Sequence, residues 1–329
     1  MTGAAPTFHA QIAANRRASW GLMAVVTLLL VALGGTVGYA LGFDLAGIPA
    51  ALTLSLFLGL GSYFGGDGMV LRASGAHELN LAQPPEAYRQ LLNVVEEMRL
   101  ASGLPMPRVY VINDTAPNAF ATGRDPKHAS IAVTTGLLEK LDREELQGVI
   151  GHEMSHVRNL DIRFMLLIGV MVGAIALIAD AFLNIARFGG LGRGDGDSDS
   201  DGGGKGAAIL FLVVIVAFIL ALVAPLISRL VLLAASRRRE GLADVSAVEL
   251  TRNPIGLASA LRRIADDPEV LEVANRATQH LYIVNPVKTF EERAKSMWDS
   301  HPPIGERIRV LEQLAGAAAP PPVPDGAAS

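Results

Sequence analysis

His152 and His156 stand four residues apart, with Glu153 directly after the first histidine. On a helix that spacing stacks both imidazoles on one face, where they can grip a single metal ion. Glu153 is turned about 100° from His152, roughly a quarter of a circle. Its carboxylate then lies beside the metal's open position, within reach of a proton on water that the metal polarises. This is the chemistry of a zinc-dependent hydrolase. Asp142-Arg143-Glu144-Glu145 charges the first turn of such a helix, and Leu146, Val149 and Ile150 supply an apolar face. The bland alternative is a helix with two exposed histidines, and the rest of the chain must decide between them.

Two histidines do not complete a catalytic zinc site, because a third protein ligand is needed. The chain has no cysteine, which excludes disulfides, thiolate ligands and cysteine nucleophiles. Downstream candidates are Glu240, Asp244, Glu249, His280 and His301. Glu240 and Asp244 attract notice because they too are four apart, so both carboxylates can face the metal side of one helix. The nearer can ligate, while the other accepts a hydrogen bond from a ligating histidine and fixes its orientation. A surface helix with Arg237 and Asp244 paired to neighbours is the competing reading, and the residues alone leave the third ligand open.

These groups must be positioned by a chain of 329 residues that is 50% hydrophobic and only 18% charged. Net charge is −4 with no long basic stretch, which argues against nucleic acid as a partner. The apolar excess gathers into four runs: Trp20 to Leu41, Leu45 to Phe64, Phe164 to Leu183 and Ala207 to Leu233. The first two have the length of bilayer spans. The first is too long for the core of a signal peptide, and a second run follows it at once. The third carries Asp180 and the fourth Pro225, so these two either cross as a hairpin or lie in a groove or in the protein's own core.

Arg16, Arg17, Arg72, Arg89, Arg158, Arg163 and Arg237 to Arg239 flank the runs on one side. That places both termini and the hydrolase residues inside the cell. Arg187, Arg193 and Lys205 in the loop between the third and fourth runs depart mildly from this rule. The Gly/Asp-rich stretch 194–204 of that loop reads as a flexible linker rather than a calcium site, for it lacks the fixed pattern of a calcium loop. The expected order is a cytoplasmic segment 1–19, two membrane helices over 20–64 and a first protease part over 65–163. Two further hydrophobic helices follow over 164–233, then a second protease part over 234–314 and a disordered Ala/Pro-rich tail over 315–329.

Gly151-His152-Glu153-Met154-Ser155-His156, followed by Asn159 and Asp161, two apolar runs and Ser236-Arg237-Arg238-Arg239-Glu240 through Asp244, resembles the HtpX group of membrane-embedded zinc metalloproteases, relatives of the CAAX prenyl proteases. The resemblance extends to Asn118-Ala119-Phe120-Ala121-Thr122-Gly123 and to His301-Pro302-Pro303. It implies that His152, His156 and Glu240 bind one zinc ion per chain, that Glu153 is the general base, and that Asp244 supports a ligand. It also implies that Asn118, Ala119 and Phe120 form an edge strand pairing with substrate. His301 and Arg307 become the candidates for holding the oxyanion of the tetrahedral intermediate. Gly241 departs from the family pattern, where a bulkier residue is usual. His9, His77, His128 and His280 read as non-catalytic, with His280 helping to position the returning segment 280–284.

The expected fold is an α-helical membrane protein bearing an α+β zincin-like protease domain, mostly helical, with a small sheet beside the active-site helix. Strands are expected at Arg108 to Ile112 and Ser130 to Thr134. The resemblance implies a stress-responsive quality-control protease of the bacterial inner membrane. Its partners would be the bilayer, misfolded or damaged membrane proteins as substrates, and other quality-control proteases. A dedicated processing protease would need a larger enclosed cavity than these few spans build. A scaffold with structural zinc would have no use for Glu153.

Overall fold

A computed structural model describes residues 13–21, 23–25, 27–28, 31, 47–167, 237–269, 271, 281–283 and 303–318. His301, the loop 194–204 and all of the third and fourth apolar runs beyond residue 167 lie outside the described residues. Contacts divide the chain into two units, one of residues 1–70 and 163–234, the other of residues 71–162 and 235–329.

The first unit contributes most of helix α1 (Gly47–Ala73). Along α1 the side chains of Leu52, Leu56, Phe57, Leu60, Phe64 and Met69 are exposed. Among the described residues, no helix is long and apolar enough to cross a membrane.

The second unit is built around a four-stranded mixed sheet, in the order β1 (Ala76–Glu78), β2 (Arg108–Ile112), β4 (Ala129–Thr134) and β3 (Ala119–Gly123). β2 and β4 run parallel at the centre and read as continuous buried stretches, as strands covered on both faces must. β1 and β3 are antiparallel additions at the two edges. All five residues of β3 are buried, so this edge of the sheet is not a bare one. Gly123 closes β3 at φ 138°, where a Cβ would stand 2.3 Å from the His128 carbonyl oxygen. Only glycine suits that place.

Helices α2 (Arg89–Ser102), α3 (Thr135–Lys140), α4 (Arg143–Arg158), α5 (Arg237–Thr251), α6 (Pro254–Asp266) and α7 (Ile304–Ala318) complete the unit. α4 is the hub and packs against α2, α5, α6 and β3. Its start is fixed by a capping box. Asp142 Oδ1 accepts from the Glu145 amide at 3.0 Å, and Glu145 Oε2 accepts from the Asp142 amide at 2.9 Å. Glu145 is buried and also takes the Ser259 hydroxyl at 2.5 Å and Arg263 Nε at 2.8 Å, both from α6. The apolar face expected from Leu146, Val149 and Ile150 is there, yet α4 is buried on nearly every side.

Close approach on those other sides needs glycine. At Gly148 a Cβ would meet the Leu257 backbone nitrogen of α6 at 2.7 Å, well inside contact distance. We therefore expect Gly148→Ala to lower stability by about 1–2 kcal/mol, overpacking outweighing the gain in helix propensity. A fall of several degrees in the calorimetric melting temperature of the purified protein would register this; an unchanged or higher value would mean that the α4–α6 seam is loose.

Candidate active site

α4 and α5 meet with His152, His156 and Glu240 facing one another, and one donor atom from each lies within 4.8 Å of the others. The two Nε2 atoms are 3.1 Å apart. Glu240 Oε2 stands 3.6 Å from His152 Nε2, and its Oε1 stands 3.7 Å from His156 Nε2. A tetrahedral zinc with bonds of about 2.0–2.1 Å would hold its ligands about 3.3 Å apart, so the three donors fit such an ion with small shifts. Each imidazole is held by a carboxylate at its other nitrogen. His152 Nδ1 lies 2.9 Å from Asp244 Oδ1, and His156 Nδ1 lies 3.0 Å from Asp161 Oδ2. That pairing makes Nδ1 the protonated nitrogen and turns both Nε2 lone pairs inward, the orientation a metal requires.

The electrostatics favour a cation at this point. Burial by itself would lower the His152 pKa, but donation to the Asp244 carboxylate and then the nearby Glu240 carboxylate outweigh it and push the imidazole up to about 9. His156 also rises, its burial opposed chiefly by Asp161. Glu153 is buried, and that burial raises its carboxyl pKa although both histidines and the Ala121 amide pull it down. Such a carboxylate is a better proton acceptor than an exposed one.

Asp161 reaches His156 through a break in the chain. α4 ends at Arg158, and Leu160 takes φ 58°, an uncommon conformation for a branched side chain, before helical structure resumes at 161–167. In an unbroken helix, residue 161 would sit about 140° around from residue 156. The left-handed residue brings the carboxylate back. This role of Asp161 was not read from the sequence, although Asn159 and Asp161 stood within the segment that carries the family resemblance.

Arg307 on α7 was expected among the oxyanion donors, and its geometry is different. Its guanidinium is buried and grips Asp244 with Nε and Nη2 at 2.8 and 2.7 Å. Nη1 donates to the Ile283 carbonyl at 3.2 Å and lies 3.4 Å from Glu240 Oε2, while Nη2 approaches His152 Nδ1 at 3.4 Å. Asp244 holds this guanidinium charged despite its burial, and Arg307 in turn keeps the Asp244 carboxyl below its usual range against the burial that would raise it. The arginine sits behind His152 and positions it through Asp244, with its donors turned to the protein. Asn118, Ala119 and Phe120 lie at the start of β3 on the sheet edge beside α4.

An HExxH helix with a carboxylate from a later helix defines a metallopeptidase site. The sequence comparisons agree: the description of Peptidase family M48 matches residues 85–315. The chain is 39% identical over 308 residues to a "Protease HtpX homolog" of Thermoanaerobacter pseudethanolicus, covering 94% of this chain and 98% of the relative. With the "Protease HtpX homolog" of Lactobacillus helveticus it shares 42% identity over 308 residues, 93% of this chain and 99% of the other. The crystal structure of S. mikatae Ste24p overlays with a TM-score of 0.47 at 17% identity, over 92% of this chain and 66% of that one, too loosely to equate the folds. The chain belongs to peptidase family M48 and to its HtpX-like proteases.

Loss of either brace should weaken the metal site without touching a ligand. For Asp161→Ala, zinc affinity measured by competition with a chromophoric chelator is expected to fall about 10- to 100-fold. Affinity equal to wild type would show that His156 needs no partner. Arg307→Met leaves Asp244 charged and unpaired in the interior, and should destabilise the fold by about 3–5 kcal/mol. Denaturant unfolding of the purified variant would read that loss.

Proposed function

We propose that this protease is a membrane-integrated zinc endopeptidase, its catalytic groups facing the cytoplasm, that cleaves misfolded or damaged membrane proteins. The observation that carries the reading is the convergence of His152 Nε2, His156 Nε2 and the Glu240 carboxylate, with Glu153 one residue along the same helix. Zinc bound there supplies a Lewis acid that polarises water and the scissile carbonyl. Glu153 takes the proton from the attacking water and passes it to the leaving amine, a task suited to a carboxylate whose pKa is raised by burial. The Ala121 amide acts on the Glu153 carboxylate and favours its charged form. Asp244 and Asp161 keep the two rings in one tautomer, and Arg307 fixes Asp244. Of the two oxyanion donors that the family resemblance implies, His301 and Arg307, His301 is kept, since Arg307 is engaged with Asp244. β3 offers main-chain pairing to an extended substrate, a mode with little demand on side chains.

Membrane integration is supported by the four apolar runs and by the exposed leucine and phenylalanine side chains of α1. The basic residues that flank the runs support the cytoplasmic orientation.

The deciding experiment compares the detergent-purified protein with Glu153→Gln on an unfolded test protein. Wild type should cut, lose activity to a chelator and regain it with zinc; Glu153→Gln should retain zinc and lose at least about 100-fold in rate. Equal cutting by both forms would remove Glu153 from the mechanism. Elemental analysis of Glu240→Ala should find zinc below stoichiometry, and full retention would move the third ligand elsewhere. A periplasm-active reporter fused after Arg72 should be silent, whereas a strong signal would invert the orientation.

A further inference from the structure

The outer side of β3 carries a fragment of the chain's own backbone. Asn118 O accepts from the Thr134 amide, so Asn118, Phe120 and Thr122 turn their main-chain groups toward β4, and Ala119 and Ala121 turn theirs outward. The Ala119 carbonyl accepts the Ile283 amide at 2.9 Å. The Ala119 amide is given to Asn118 Oδ1 at 3.1 Å, and the Ala121 amide to Glu153. A strand added here would need these outward groups at Ala119 and Ala121, and both of those at Ala119 are already engaged.

The fragment Leu281-Tyr282-Ile283 is firmly held. Leu281, Tyr282 and Ile283 are all buried. The Tyr282 ring stands edge-on to Phe120 with centroids 5.0 Å apart, and its hydroxyl donates to Ser74 Oγ at 3.3 Å. Ile283 belongs to the main core, and its carbonyl accepts from Arg307, the same guanidinium that grips Asp244. Pulling Ile283 away from Ala119 would expose the Tyr282 ring and take an acceptor from Arg307. The Ala121 amide differs, since the group acting on it is the Glu153 side chain and not a backbone fragment.

We propose that Leu281-Tyr282-Ile283 is a fixed stop that ends substrate pairing at Ala119, so that a bound polypeptide pairs with β3 at Ala121 and toward Gly123 only. The proposal rests on the reading of β3 as the substrate edge. α4 packs against β3 and the Ala121 amide acts on the Glu153 carboxylate, so the substrate residue facing Ala121 is placed next to the bond to be cut. In an antiparallel strand the residue that would face Ala119 lies two positions further toward the substrate's C-terminus. Main-chain recognition is therefore short on that side, and the substrate class is a polypeptide that needs only a brief extended stretch there, such as a partly unfolded segment.

Quenched fluorescent peptides, each N-methylated at one backbone amide, test this on the full-length zinc enzyme. At the position flanking the scissile bond, kcat/KM should fall at least about tenfold, the worth of a lost hydrogen bond of about 1.4 kcal/mol. Two residues toward the C-terminus it should change by less than twofold. Large losses at both positions would overturn the stop and leave the edge reading standing. No loss at any position would overturn the edge reading, and the stop with it. In Tyr282→Ala, where the fragment is loosened, sensitivity should spread to the second position; a folded, active variant with the wild-type pattern would overturn the stop. Should that variant fail to fold, the wild-type scan decides alone.

Discussion

Charge buried around one helix is the constraint on which the rest of the protease unit depends. Glu153, Glu240, Asp244 and Asp161 are all inside, with Arg307 buried among them and Arg239 largely so. Around the two histidines buried carboxylates thus outnumber the arginines, an imbalance that a cation between the imidazoles would reduce. Charges taken out of water cost several kcal/mol each unless compensated, so the acids, the arginines and the ion must be counted together. The helix packing follows from that requirement. α4 brings the histidines, α5 brings Glu240 and Asp244, and α7 brings the guanidinium that neutralises what α5 would otherwise bury alone.

Local chemistry made part of this arrangement legible in the sequence. The acidic first turn of α4, the HExxH spacing and the strands at β2 and β4 are short-range signals, and each stands where its residues placed it. The i, i+4 pair Glu240 and Asp244 suggested two carboxylates on one helix face, and both do lie against His152. What was illegible depends on distant parts of the chain. The pairing of Arg307 with Asp244 spans helices whose relative placement no local pattern encodes, and Asp161 needs the left-handed Leu160 to reach His156. β1 has only three residues, too few for an alternating pattern to declare itself. Burial on nearly every side of α4 was hidden because glycines at 148 and 151 read as polar or neutral, when they mark where other helices come closest.

The edge strand β3 and the Asp244–Arg307 pair meet at one residue. The Ile283 amide meets Ala119 on β3, and its carbonyl meets Arg307, which holds the carboxylate behind His152. Strand and His152 are thereby referenced to the same residue, an arrangement that would suit a reaction demanding the scissile carbonyl within a fraction of an ångström of its place. Tyr282, wedged on Phe120, keeps that point from drifting.

The protease unit is assembled from two stretches, 71–162 and 235–329, with 163–234 between them. A ribosome therefore finishes the HExxH helix well before it supplies Glu240, and supplies Arg307 later still. At ordinary rates of synthesis a nascent chain carries Glu153 and both histidines for several seconds before Glu240 follows, and longer before Arg307 does. The HExxH helix is thus incomplete as a candidate metal site while the later helices are still being made. Translation order therefore sets the order in which these groups can meet, with α7 the last of the described helices to arrive.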